Sequence, residues 1–86
     1  MAKNWKKFKK GDLILTDLGF PAFVWENQTS KDYISIYAFG IYDEHGSERP
    51  WLAKKVNTEE WFKLCQIRGY SRDYVIAKAK EFKVNI

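Results

Sequence analysis

The side chains in this sequence that could act on a ligand are mainly lysines and aromatic rings. Residues 1–10 (MAKNWKKFKK) contain five lysines and no acidic residue, whereas residues 11–86 contain ten basic and eleven acidic residues. Trp5 and Phe8 are interleaved with these lysines. Lysines bind phosphate groups, and aromatic rings can stack on bases. This basic arm is therefore a candidate nucleic-acid contact, or else a solvated terminus whose two rings pack on the domain.

Catalytic and metal-binding patterns are not evident. The sequence has one histidine, His45, and one cysteine, Cys65, which are too few for a zinc site. Neither residue belongs to a pattern that predicts a nucleophile with its base or an acid–base pair. We therefore expect no enzymatic activity, no metal and no cofactor.

The cysteine count and the hydropathy also limit the class of protein. A single cysteine rules out an internal disulfide and is typical of a reducing compartment such as the cytosol or nucleus. No apolar run approaches the roughly 18 residues that a membrane span needs, so we expect no membrane partner.

The first two-thirds of the chain predicts short strands separated by turns. Aromatic and β-branched residues favour strands over about 12–17, 22–27, 33–39 and 51–56. Gly19-Phe20-Pro21 separates the first two strands. Asn27–Asp32 and the stretch DEHGSE at 43–48 are rich in turn-forming residues and predict turns.

After Val56 the apolar spacing changes from two residues to about 3.6, which predicts two helices. Asn57 can cap the first helix with Glu60 as its partner, and Gly69 can end it. Ser71 can begin a second helix over about 72–83.

These elements predict an α+β fold in one domain. We expect a basic arm over 1–10 and a small SH3-like or Tudor-like five-stranded antiparallel β-barrel over 11–56. A C-terminal two-helix segment over 57–86 follows.

The order of short motifs resembles the PWWP domain, a chromatin-reading barrel related to Tudor and chromo domains. The motifs that carry the resemblance run from about residue 8 to residue 83. They are FKKGDLI at 8–14, Phe20-Pro21-Ala22-Phe23-Val24, Phe39-Gly40, Trp51 with Val56, Arg68-Gly69-Tyr70 and Ile76-Ala77-Lys78-Ala79.

The resemblance implies a non-enzymatic chromatin-binding module in the nucleus, belonging to a larger protein or complex. It would hold a methylated lysine of a histone tail in an aromatic cage, since a methylated ammonium is held by ring faces rather than by donating hydrogen bonds. Phe20 matches one cage position of the family. Ala38 stands where the family has another aromatic residue, so the cage is either incomplete or completed by the neighbouring Tyr37 and Tyr42.

The resemblance also implies contact with double-stranded DNA through basic side chains that do not read its sequence. The candidates lie on the arm, on the fourth predicted strand and on the first helix. They are Lys6, Lys7, Lys9, Lys10, Lys54, Lys55, Lys63 and Arg68.

Two alternatives belong to other functional classes. A generic SH3-like barrel would bind RNA or a peptide through exposed aromatics such as Tyr33, Tyr37 and Trp51. The stretch FKKGDLILTDLG also resembles the opening strand of MazF-type toxin ribonucleases, and residues 46–50 echo a second motif of theirs. In that family the second motif follows the first strand closely, unlike here.

Overall fold

Five antiparallel strands form one sheet, and two α-helices follow them in the chain. The computed structural model describes residues 7–86. The strands are β1 Leu13–Leu15, β2 Pro21–Val24, β3 Ile34–Phe39, β4 Asp43–Glu48 and β5 Lys54–Lys55, with a 3-10 turn over Pro50–Leu52 before β5. The helices are α1 Thr58–Ile67 and α2 Arg72–Glu81. This confirms the predicted α+β class with five antiparallel strands and two C-terminal helices.

The sheet is open, with the order β4-β3-β2-β1-β5. β4 and β5 lie at its two edges, and within residues 7–86 no ladder joins one to the other. None of the described helices is both long enough and apolar enough to cross a membrane.

The central strand β2 is buried on both faces of the sheet. Successive side chains of a strand point to opposite faces, so Phe23 and Ala22 enter different clusters. Phe23 packs with Tyr37, Phe39 and the helices on one face. Ala22 and Val24 pack on the other face in a second cluster, which also contains Ile14, Ile36 and Phe8.

Phe8 is a core residue rather than an exposed ring of the basic arm. Its side chain is fully buried. Its backbone N–H donates to Gln28 Oε1 at 2.7 Å, and its carbonyl accepts from the backbone N–H of Gln28 at 3.1 Å. Trp5 and Lys6 lie outside the described residues. Of the two alternatives for the arm, packing of its rings on the domain is therefore confirmed for Phe8.

The break before β2 is a tight turn that Gly19 makes possible. Gly19 has φ of +87°, a conformation that favours glycine. The hydroxyl oxygen of Thr16 accepts the Phe20 N–H at 3.1 Å. Pro21 then begins β2 opposite Leu15, while the ladder with β3 begins one residue later, so the missing N–H of proline leaves no gap in that ladder.

The prediction of a turn over 43–48 is wrong, because these residues form β4. They pair with β3 over six positions, from Phe39↔Asp43 to Ile34↔Glu48, and the turn lies at Gly40–Tyr42 instead. β4 is mostly exposed, so it lacks the apolar alternation that marks a half-buried strand. Charged side chains on an edge strand also protect it from pairing with other chains.

The single strand predicted over 51–56 is also wrong in part. Its first residues form the 3-10 turn, and only Lys54 and Lys55 pair with β1. Pro50 occupies the first position of that turn, where its fixed φ is tolerated.

The two helices begin where their capping residues predict. Asn57 Oδ1 accepts the Glu60 N–H at 2.9 Å, and Ser71 Oγ accepts the Tyr74 N–H at 3.2 Å. Gly69 follows α1 with φ of +93°. α2 ends at Glu81, slightly earlier than predicted, with Phe82 as its C-cap.

Trp61 fixes α1 on the sheet. Its ring is fully buried, and its indole N–H donates to the carbonyl oxygens of Ile14 at 3.2 Å and Ala22 at 3.0 Å. One side chain of α1 therefore joins β1 and β2 at their shared ladder.

Candidate ligand-binding groove

Two adjoining cavities, of about 180 and 120 Å³, share Phe20, Ala38 and Glu44 as lining residues. The larger lies between the β1–β2 turn and β4, and the smaller reaches into the β3–β4 turn. We call them together the aromatic–acidic groove. The residues that define it are Asp17, Phe20, Ile36, Ala38, Tyr42, Glu44 and Glu48.

The topology explains why these distant residues meet. β1 and β3 run in the same direction because both are antiparallel to β2. The β1–β2 and β3–β4 turns therefore lie at the same end of the sheet. This places Phe20 beside the turn that carries Tyr42.

The ring of Phe20 is held in position by two neighbours. A Cβ placed on Gly40 would lie only 2.8 Å from Cδ2 and Cε2 of Phe20, so the ring rests directly on a backbone without a side chain. The guanidinium carbon of Arg68 lies 4.6 Å from the ring centroid. Arg68 also donates to the carbonyl oxygen of Gly19 at 3.4 Å. Arg68 is not among the lining residues of the groove, so its role there is to support Phe20.

Tyr42 supplies the second ring of the groove. It is 65% exposed in the β3–β4 turn, next to the exposed Ile41. Leu18, also exposed, projects from the β1–β2 turn and lines the larger cavity. The mouth of the groove is therefore apolar as well as aromatic.

The rim of the groove is acidic. Asp17, Glu44 and Glu48 line it, and among residues 7–86 no lysine or arginine does. Glu48 is buried, and its carboxylate accepts the backbone N–H groups of Asp17 at 2.8 Å and Arg49 at 3.0 Å. Burial raises the pKa of Glu48, although these two N–H groups oppose the rise. The exposed carboxylates of Asp17 and Glu44 favour a cationic ligand with apolar surface.

Tyr37, the third predicted cage residue, does not lie in the groove. It is only 7% exposed and stacks on Phe23 with ring centroids 5.6 Å apart, on the face covered by the helices. Strand alternation places it on the opposite face from its neighbour Ala38, which lines the groove. Of the predicted cage, the structure therefore brings together Phe20 and Tyr42 but not Tyr37.

Tyr37 instead belongs to a hydrogen-bonded cluster centred on Asp43. The hydroxyls of Tyr37 and Tyr74 donate to the same oxygen, Asp43 Oδ2, at 2.6 and 2.7 Å. Burial alone would raise the pKa of Asp43, but these two donors and the nearby Lys78 hold it below its ordinary value. The hydrogen bond from the Tyr74 hydroxyl to Asp43 raises the pKa of Tyr74 to about 12. The cluster ties α2 to the start of β4.

The predicted DNA contacts fall in separate places. Lys7, Lys9 and Lys10 are exposed at the start of the described chain. Lys55 lies beside them, because its Nζ is 5.3 Å from the Phe8 ring centroid and 3.5 Å from Asp12 Oδ2. We call these four lysines the N-terminal basic surface.

The other predicted contacts lie elsewhere. Lys54 faces the opposite side of β5 from Lys55, since neighbouring strand residues alternate. Lys63 is exposed on α1, Arg68 stacks on Phe20, and Lys6 lies outside the described residues.

Residues 7–86 contain neither a cluster of metal ligands nor a reactive cysteine. No group of three or more His, Cys, Asp or Glu side chains there could hold a metal ion. Cys65 is buried, and burial raises the pKa of its thiol to about 12, which leaves almost no thiolate at neutral pH.

The acidic rim is the part of the site that the sequence prediction missed. Glu44 and Glu48 lie on β4, which the turn-forming composition concealed. The signal available was the acidic content of DEHGSE, which contains three carboxylates in six residues.

Comparison with known proteins identifies no family. No protein-family model matches the chain, and searches of the curated proteins and of the solved structures gave no significant match. The function is therefore inferred from the groove and its surroundings.

Proposed function

We propose that this chain is a non-enzymatic binding module whose aromatic–acidic groove takes a methylated lysine side chain from a basic peptide such as a histone tail. The observation that carries the proposal is the meeting of Phe20 and Tyr42 in one groove with the Glu44 carboxylate. The exposed Tyr42 ring attracts a methylammonium group through its negative face, Phe20 supplies an apolar wall, and a carboxylate adds charge attraction.

The exposed apolar residues at the mouth extend the same argument. Leu18 and Ile41 can cover the aliphatic part of a lysine side chain and the residues next to it. A free acidic peptide would be repelled by Asp17 and Glu44, so the partner is basic.

A PWWP-like barrel is the fold that goes with this proposal. The carboxylate of Glu48, at the end of the edge strand β4, accepts the backbone N–H of Asp17, which follows β1. This bond links one edge of the sheet to the strand next to its other edge, as a sheet that curves toward a barrel requires. The second buried cluster, containing Phe8, Ile14 and Ile36, would then fill the barrel interior.

Contact with double-stranded DNA is the second part of the proposal. The N-terminal basic surface supports it, because its lysines are exposed and Lys55 lies beside Phe8 and Asp12. Such a surface binds phosphates irrespective of sequence. A nuclear location and membership of a larger chromatin protein follow from these partners and are part of the same proposal.

Peptide titration tests the groove directly. For basic peptides that differ only in the methylation of one lysine, the affinity for the wild-type chain should increase with the number of methyl groups. Tyr42→Ala should weaken binding of the methylated peptide by roughly 5- to 30-fold, the range expected for one cation–π contact. Phe20→Ala should also weaken it, because it removes the apolar wall of the groove.

Tyr33→Ala is the matched control, because Tyr33 is 55% exposed but does not line the groove. Its affinity for the methylated peptide should equal that of the wild type. Equal binding of methylated and unmethylated peptides, unchanged by either groove substitution, would rule out the proposed cage.

A further inference from the structure

We propose a second binding site, for single-stranded nucleic acid, on the surface formed by Tyr33, Arg49 and Trp51. We call it the Trp51 surface. It adjoins the groove at Ser47 and Glu48 but presents different rings, and it does not depend on the methyl-lysine proposal.

Trp51 projects from a fixed turn. Pro50 is buried and anchors the 3-10 turn, while Trp51 beside it is 55% exposed. The turn is closed by the backbone bonds from Leu52 N–H to Arg49 O at 2.9 Å and from Ala53 N–H to Pro50 O at 3.3 Å. A large ring held outward on a rigid turn loses little conformational freedom when a ligand covers it.

Arg49 lies near Trp51 and lines the same cavity as Tyr33. Its guanidinium carbon lies 5.9 Å from the Trp51 ring centroid. Arg49 and Tyr33 also line one open cavity of about 360 Å³. The backbone of Arg49 is fixed by its N–H bond to Glu48 Oε1. The Arg49 guanidinium is therefore the positive charge that accompanies these exposed rings.

Positive charge accompanies the exposed rings. Arg49 lies beside Trp51, and Lys54 is exposed on β5, three residues after Trp51 in the chain. The cavity has two acids, Asp32 and Glu48, and the Glu48 carboxylate already accepts two backbone N–H groups. Exposed rings accompanied by cations suit bases that stack and phosphates that pair with charge.

The nucleic acid that fits this surface is single-stranded. Rings such as Trp51 and Tyr33 can stack only on bases that are free of a duplex, as single-strand binders do. A proline-rich peptide would also use exposed aromatics, but it would leave Arg49 and Lys54 without an anionic partner.

The test uses the full chain and a labelled oligothymidylate of about 12 nucleotides at about 50 mM salt. The single strand should bind more tightly than a duplex of the same length. Trp51→Ala should weaken single-strand binding roughly 5- to 150-fold, the effect of losing one base stack. Trp51→Phe should retain most of the affinity, and Arg49→Gln should reduce the salt slope by about 0.7.

Tyr42→Ala is the control, since it alters the groove and should leave oligothymidylate binding unchanged. Thermal unfolding checks that each variant is folded, which the exposure of Trp51 leads us to expect. No detectable single-strand binding would overturn the proposal. So would binding that is equal for duplex and single strand and unaffected by Trp51→Ala. A proline-rich peptide that shields Trp51 from acrylamide quenching when oligothymidylate does not would assign the surface to peptides instead.

Discussion

The position of Phe20 depends on the absence of a side chain at residue 40. The ring lies within 2.8 Å of where a Cβ on Gly40 would be, and Arg68 supports it from the C-terminal end of α1. At the scale of single residues, the groove is therefore defined as much by Gly40 and Arg68 as by its own walls.

Gly40→Ala should displace the Phe20 ring and weaken binding of the methylated peptide. Overpacking of this kind destabilises a fold by about 1–3 kcal/mol, which urea unfolding can measure. Gly46→Ala, in the same hairpin, is the matched control for stability, because no atom lies within 4 Å of the added Cβ. Equal effects of the two substitutions would contradict the contact between Gly40 and Phe20.

Asp43 should control how stability responds to pH at both extremes. Its folded pKa is lowered, so its contribution is present above its unfolded pKa of 3.8 and is lost as the pH falls through the folded value. The pKa of Tyr74 is raised from 10.0 to about 12, so that contribution is complete below pH 10 and is lost as the pH rises through about 12.

Asp43→Asn should remove both effects. It should also lower the free energy of unfolding by about 1.5–3 kcal/mol at neutral pH, because two hydroxyls lose a charged acceptor. Unfolding measured as a function of pH tests the effect on stability, and tyrosinate absorbance tests the titration of Tyr74. An alkaline titration of Tyr74 that is the same in the variant and the wild type would contradict the role of Asp43.

At the scale of elements, the helices could be predicted from sequence because their signals are local. Asn57, Ser71 and Gly69 act on backbone groups within a few residues, so their types and spacing suffice. β4 could not be predicted in this way. Its stability comes from the ladder with β3, a partner that is not encoded in the composition of DEHGSE.

The residues of the groove likewise differ in whether the sequence alone could identify them. Phe20 and Tyr42 could be selected as aromatic candidates, whereas the acidic rim required knowing that β4 is a strand. The position of Tyr37 was accessible from sequence, since it differs by one residue from Ala38 and so must face the other side of β3.

Trp61 should be the side chain on which the docking of α1 most depends. Trp61→Phe removes the donor to Ile14 and Ala22 and leaves unfilled volume in the core. We expect a loss of at least about 2 kcal/mol in the free energy of unfolding, measured with urea. Trp51→Phe, on the exposed turn, should change it by less than about 0.5 kcal/mol. A similar small loss for both would show that the indole bonds do not hold the helix.

At the scale of the whole molecule, opposite charges occupy different surfaces. The groove is lined by carboxylates, whereas exposed lysines flank Phe8 in the N-terminal basic surface. A basic peptide and duplex DNA would therefore be directed to different surfaces of the chain.

The double variant Lys9→Gln/Lys10→Gln should weaken duplex DNA binding and reduce its salt slope by up to about 1.8, since each phosphate contact contributes about 0.9. Its affinity for the methylated peptide should not change. Lys80→Gln, an exposed lysine of α2 outside both surfaces, is the control for overall charge. A uniform loss with every lysine removed would indicate that net charge alone drives binding.

The burial of Phe8 has a consequence for how its lysine neighbours can act. The backbone N–H groups of Phe8, Lys9 and Lys10 donate to the side chains of Gln28, Asp12 and Asn27 respectively. This short stretch of main chain is thus already ordered before any ligand arrives. Its lysines can bind a phosphate at the expense of side-chain entropy alone, without first having to fold a flexible tail.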